Sequence, residues 1–387
     1  MSTIGDIIGF NLIVIGPTLV LVATALILLF CTITIETSVF IKQSITLMGI
    51  LATIFTVFLK FGLFFTDGVS SYFSEKILLD EFSLFGNVLI SLILLFNFTS
   101  IWNTSAEVKD KTTEAIILTL MSASGFMLMI DAENFMMLFI GLEIGSISLY
   151  ALAGINRGDL LSNEAALKYF LLGSLASCVL VYGVALIYIS LSISGFYDTA
   201  IAISYIGPPN VPLTTFIGFL LLVVGLLFKV AAAPFQSWAP DVYQGSPTGI
   251  TALIATGVKI TMVLITVRFS TVHPEILETT WHPALLTMSS FSIIGGNLFA
   301  LVQTNLKRML AYSTIANIGF ILIAISLGNQ QSYQASMFYT VSYVIMTMAA
   351  FGVLLLITLD KKPIELIRRR LAARLRGVRY LKSKRSH

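Results

Sequence analysis

Charged residues are scarce in this chain. Asp, Glu, Lys and Arg make up 11% of its 387 residues, against about 25% in a soluble domain. With 57% hydrophobic residues, that scarcity excludes a soluble fold and leaves an all-α polytopic membrane protein. Cysteine and histidine are nearly absent as well. Cys31 and Cys178 lie in apolar runs without CxxC or Cys/His spacing, so neither a disulfide framework nor a metal site is indicated and both are expected to pack. His273, His282 and His387 stand near segment ends, where no ligand or catalytic role is expected. No nucleic-acid partner is expected. The opening Met1-Ser2-Thr3-Ile4-Gly5-Asp6 has no Arg-rich presequence and no cleavage site after a short apolar region. A chain of this kind working in an organelle is expected to be made there.

What the chain has in quantity is long apolar runs. A spanning helix needs about 20 apolar residues. Eleven runs qualify: 13–35, 45–65, 82–101, 115–130, 135–155, 165–189, 216–243, 248–269, 285–303, 309–327 and 337–359. They are continuous rather than alternating, which favours helices over a barrel. Connections after odd-numbered spans carry Lys42, Lys109, Lys111, Arg157, Lys307 and Arg308. Those after even-numbered spans carry Lys76 and Arg268 with the acids Asp67, Glu75, Asp80 and Glu81. Positive charge marks the inner side, so the N-terminus is expected outside and the C-terminus inside. Residues 197–212 read as an outside loop.

The tail from Lys361 to His387 holds 11 of the 23 Lys and Arg. Ile364, Ile367, Leu371, Leu375, Val378 and Leu381 recur at helical spacing among Arg368, Arg369, Arg370, Arg374, Arg376 and Arg379. This basic amphipathic pattern suits anionic lipid or a protein partner.

Against this background four ionisable residues stand out: Glu143, Lys168, Lys229 and Lys259. A charge at mid-bilayer costs about 2.5–3.5 kcal/mol on insertion scales, and such residues mark ion paths or pairs. Lys229 comes one turn before Pro234, which removes a backbone donor and is expected to kink or break the seventh span. The carbonyl end of the first half-helix favours a cation, as in transporters with interrupted helices. Glu143 lies in the middle of the fifth span beside Gly141, Gly145 and Ser146, which permit close helix approach. A Glu143–Lys229 pair would set a tunable proton affinity, and a purely structural ion pair is the alternative. Lys259 is central in the eighth span between Thr256 and Thr261 and suits a relay through water. Lys168 lies a turn inside the sixth span, where snorkelling is equally expected, and Lys60 is read as snorkelling.

The stretch Phe228-Lys229, Ala233-Pro234-Phe235 and Trp238-Ala239-Pro240-Asp241-Val242-Tyr243-Gln244-Gly245-Ser246-Pro247-Thr248 resembles the signature of the subunit-2 family of respiratory complex I, the proton-pumping NADH:quinone oxidoreductase. Gly141-Leu142-Glu143, Leu167-Lys168-Tyr169-Phe170 and Gln303-Thr304-Asn305-Leu306-Lys307-Arg308 resemble it too, and the resemblance runs from about Glu81 to Leu359. It implies an antiporter-like bundle: three leading helices over 1–110, a five-helix repeat over 111–270, and an inverted repeat that is partial here, over 271–360, followed by the basic tail 361–387. It also implies roles: Glu143 as the pairing carboxylate, Lys229 as the broken-helix lysine and Lys259 as the central relay; a proton path built on these is expected to enter past Lys168. No redox cofactor is expected in this chain. FMN, iron–sulfur clusters and ubiquinone would belong to other subunits of the enzyme. The family has about fourteen spans, so a separate chain supplying the missing C-terminal helices is expected alongside the other membrane-arm subunits. Gln244 stands where the family often has an acid. The expected place is the mitochondrial inner membrane. A cation/proton antiporter subunit and a non-conducting structural remnant are the competing expectations.

Overall fold

The computed structural model describes residues 11–34, 38–103, 111–207, 210–276, 278 and 281–359. Lys109 and the basic tail 361–387 lie outside them. Among the described residues, ten helices are long and apolar enough to cross a membrane. In chain order the elements are α1 (Gly16–Thr34), α2 (Val39–Asp67), a short antiparallel hairpin β1 (Ser70–Tyr72) and β2 (Ile77–Leu79), α3 (Glu81–Asn103), α4 (Thr112–Ile130), α5 (Phe135–Ala153), α6 (Leu160–Leu191), α7 (Phe196–Ile206), α8 (Leu213–Lys229) and α9 (Trp238–Gly245). Then follow α10 (Thr248–Val272), α11 (His282–Leu301), α12 (Leu306–Ser326) and α13 (Gln330–Leu359).

The helix starts are written locally. Asn134 caps α5 by accepting from the Met137 N–H at 2.8 Å, and Asn305 caps α12 by accepting from Lys307 and Arg308. Gly68 ends α2 with a positive φ of 69°, a conformation glycine adopts without steric cost. Large apolar side chains such as Phe30, Phe58, Tyr182, Phe291 and Phe338 remain exposed on the outer faces, as expected of helices whose solvent is hydrocarbon.

Two features organise the interior. Helices α4 and α5 touch backbone to backbone: a Cβ on Gly125 would lie 2.4 Å from the Gly145 nitrogen, and one on Gly141 2.6 Å from the Met129 nitrogen. Small residues thus bring α5 and its Glu143 against α4. Helix α10 is the bundle axis. It is buried from Thr248 to Ser270, packed by α3, α4, α8, α12 and α13.

The seventh span is interrupted where the sequence predicts, with the break at 230–237. The structure differs from the sequence reading at two other points. The segment read as a loop after Tyr197 carries α7, which buries Phe196, Thr199 and Ile203 on one face at helical spacing. Lys60 does not snorkel. Its side chain is fully buried and its Nζ lies 2.8 Å from Asp131 Oδ2, because Asp131, at the end of α4, faces it across the bundle.

Candidate functional site: a broken helix between two lysines

Helix α8 stops at Lys229. Ala231 turns the chain through the left-handed region (φ 60°), Ala233–Pro234 is cis, and α9 resumes at Trp238. A break inside a membrane frees backbone groups that hydrocarbon cannot satisfy, and here they find partners. The Phe228 carbonyl accepts from Trp238 Nε1 at 3.1 Å. The Ala233 N–H donates to Ser292 Oγ of α11 at 2.8 Å. The Val230 carbonyl accepts from the ammonium of Lys259. The negative end of the α8 dipole lies at this break, so both Lys229 and Lys259 stand where a cation is favoured.

Lys229 is almost fully buried and donates to two hydroxyls of α5, Tyr150 at 3.1 Å and Ser146 at 3.2 Å. Glu143, Ser146 and Tyr150 are spaced i, i+3 and i+7, one face of a helix. Glu143 makes no ion pair with Lys229. Its Oε1 is buried and has no hydrogen-bond partner among the described residues. The two hydroxyls were not singled out from sequence as ligands of Lys229, although the spacing from Glu143 could have flagged them.

Lys259 is completely buried. Besides the Val230 carbonyl it faces the Trp238 ring, 5.3 Å from the centroid. It follows a π-helical turn, Ile254–Val258, whose Ala255 carbonyl accepts from Tyr343 of α13 at 2.8 Å. Such turns recur at functional sites. Sequence reading placed Lys259 in a relay through water. The structure puts a backbone carbonyl and an indole against it.

Lys168 is apart from these two. It is partly exposed and pairs with Glu164 at 2.7 Å and Asp241 of α9 at 2.6 Å, and Asp241 also holds Arg308 at 2.5 Å. Arg308 further donates to Gln244, and Lys307 to the Ser246 carbonyl. The second half of the broken helix is therefore tied at its far end to α6 and α12.

A broken central helix with one lysine at its end and a second lysine capping it narrows the choice of family. Residues 132–377 match the family described as NADH:quinone oxidoreductase/Mrp antiporter, TM. The chain belongs to this family. Within it, the chain is 38% identical over 289 residues to NADH-quinone oxidoreductase subunit N of Magnetococcus marinus, covering 74% of this chain and 59% of the relative. It is 44% identical over 250 residues to NADH-quinone oxidoreductase subunit N 1 of Chloroherpeton thalassium, covering 63% of this chain and 51% of the relative. The match thus spans only about half to three fifths of these relatives. A chain in respiratory complex I from Thermus thermophilus superposes with a TM-score of 0.71 at 31% identity, covering 87% of this chain and 70% of that one. A chain of an archaeal membrane-bound sulfane sulfur reductase superposes at 0.79 with 23% identity, covering 90% and 71%, and shares the fold.

Proposed function

We propose that the chain is a proton-translocating membrane-arm subunit of an NADH:quinone oxidoreductase, coupled to electron transfer carried out by other subunits. The observation that carries the reading is the shared end of α8: Lys229 is its last residue, and Lys259 donates to the carbonyl of the next residue, Val230. Two amines that meet one interrupted backbone can exchange a proton when that backbone shifts. Ser146 and Tyr150 extend the path from Lys229 along α5, because a hydroxyl both accepts and donates. Glu143, on the same face, sets the electrostatic preference of Lys229 for its proton. Lys168, in the partly exposed cluster with Asp241 and Arg308, is the entrance.

In this reading the chain holds no redox cofactor, and FMN, iron–sulfur clusters and ubiquinone belong to its partners. Helices α4–α10 form the first translocating repeat and α11–α13 part of an inverted second. Apolar side chains exposed on α11 and α13, Phe291, Ile294, Phe338 and Ile345 among them, suit contact with hydrocarbon and with neighbouring membrane-arm subunits. The basic connections face inward, and the tail rests on anionic lipid or a partner. A respiratory membrane follows from this function. The mitochondrial inner membrane is the narrower proposal, made beside bacterial relatives.

Lys229→Ala and Glu143→Ala in assembled enzyme are expected to slow coupled turnover. Unchanged proton pumping in both would reject these roles. Sodium–proton exchange without NADH oxidation would instead favour an antiporter.

A further inference from the structure

At the hairpin end of the bundle, loop 131–134 between α4 and α5 is clamped on both sides. The Glu133 N–H donates to the Lys76 carbonyl, and the Glu133 carbonyl accepts from the Phe196 N–H. The Leu78 N–H donates to the Asp131 carbonyl. This fixes three buried carboxyl groups, Asp80, Asp131 and Glu133, around two buried cations, Lys60 and Arg268.

The pairing leaves one acid over. Lys60 belongs to Asp131, which Asn87 also supports at 2.8 Å. Arg268 belongs to Asp80 at 2.6 Å, and its other terminal nitrogen donates to the Ile130 and Ala132 carbonyls. Glu133 is only 6% exposed, has no ion pair among the described residues, and its Oε2 is buried without a hydrogen-bond partner. It lines a cleft of about 340 Å³ formed with Ser70, Ser71, Glu75, Gly195, Tyr197 and Asp198.

We propose that Glu133 is a proton-binding carboxyl at the floor of this cleft, exchanging its proton with the water at the hairpin end. A carboxylate with a buried, unpartnered oxygen is unstable, whereas a carboxylic acid donates its O–H into the cleft. The groups that face it act in both directions. Asp80 from the start of α3 and Asp198 from α7 favour the protonated form, and Glu75 from the hairpin shares the cleft. Arg268 from α10 and the Tyr197 N–H favour the ionised one, while Lys60 from α2 and Asp131 from the same loop are paired with each other. Burial and the neighbouring acids outweigh Arg268 and the Tyr197 N–H and push the Glu133 carboxyl up to about 7. A proton fits better than a metal ion, because no three acidic, His or Cys side chains among the described residues converge to hold one. The site is separate from the lysines at the helix break and does not depend on their role.

The test is pH-difference infrared spectroscopy of the full chain in proteoliposomes, following the protonated carboxyl band as the pH at the hairpin end is stepped. A carboxyl titrating near neutrality is expected, absent in Glu133→Gln and retained in Glu75→Gln and Asp198→Asn. Asp80→Asn frees Arg268 for Glu133 and is expected to lower its proton affinity at least about tenfold, one pKa unit. The proposal is overturned by a band unchanged in Glu133→Gln, by an unmoved midpoint in Asp80→Asn, or by a titration that answers only to pH at the opposite end. Displacement of the proton by sodium, with choline inert, would make the cleft a cation site and overturn it equally.

Discussion

The ammonium of Lys259 caps the carbonyl of Val230, so the eighth span holds the break in the seventh. A lysine expected to act only as a carrier is also a backbone partner. The two roles separate by substitution. Lys259→Met leaves a buried carbonyl unsatisfied and is expected to destabilise the chain by about 1–3 kcal/mol. Lys259→Gln retains a donor and should recover much of that stability without recovering proton transport. Thermal unfolding in detergent, read beside pumping in assembled enzyme, distinguishes them.

Tyr150 and Ser146 are expected to tune Lys229 rather than hold the fold. Each hydrogen bond to the ammonium is worth about 1.5–3 kcal/mol. Tyr150→Phe and Ser146→Ala should each reduce coupled turnover severalfold while assembly remains normal. Because both hydroxyls serve one nitrogen, the double variant should depart from additivity. Additive losses would mean that the two act elsewhere.

The buried Lys60–Asp131 pair makes a sharper stability prediction. Removing one partner leaves an uncompensated buried charge, at about 3–5 kcal/mol. Lys60→Met should therefore lower Tm and membrane yield strongly. Lys60→Met combined with Asp131→Asn should restore most of both. A double variant as unstable as the single one would show that the pair is not what Lys60 contributes.

Two groups outside the spans tilt stability with pH in opposite senses. His273, just beyond α10 and bonded to Thr199 at 2.9 Å, is pushed down to about 4 by burial. The unfolded chain then binds the extra proton between about pH 6.5 and 4, and stability falls across that window as pH drops, by up to about 3 kcal/mol. Glu133 is raised to about 7, so its contribution is complete below the usual carboxylate value near 4.5 and is lost as pH rises through 7. Unfolding of His273→Gln and Glu133→Gln at stepped pH should flatten one slope each, with opposite signs.

Lys229, Glu143 and Lys259 were legible as singular because a charge in an apolar run has few explanations, and Pro234 located the break. Their partners were not legible. Tyr150 and Ser146 look like packing residues until α8 is laid against α5. Lys60 looked like a snorkelling end residue because its partner Asp131 is 71 positions away and belongs to a loop. The helix α7 was missed since its polar residues and nearby Gly and Pro read as a turn, while its one apolar face shows only when something packs on it.

Hydropathy along the chain determined that this protein crosses a membrane many times, and Pro234 marked where one crossing is interrupted, because lipid imposes length and composition on each segment independently. Which carboxylate meets which cation was decided only by the packed bundle. Pairing depends on distances between helices remote in sequence, and three acids around two cations become a surplus of one only when they share the same buried space.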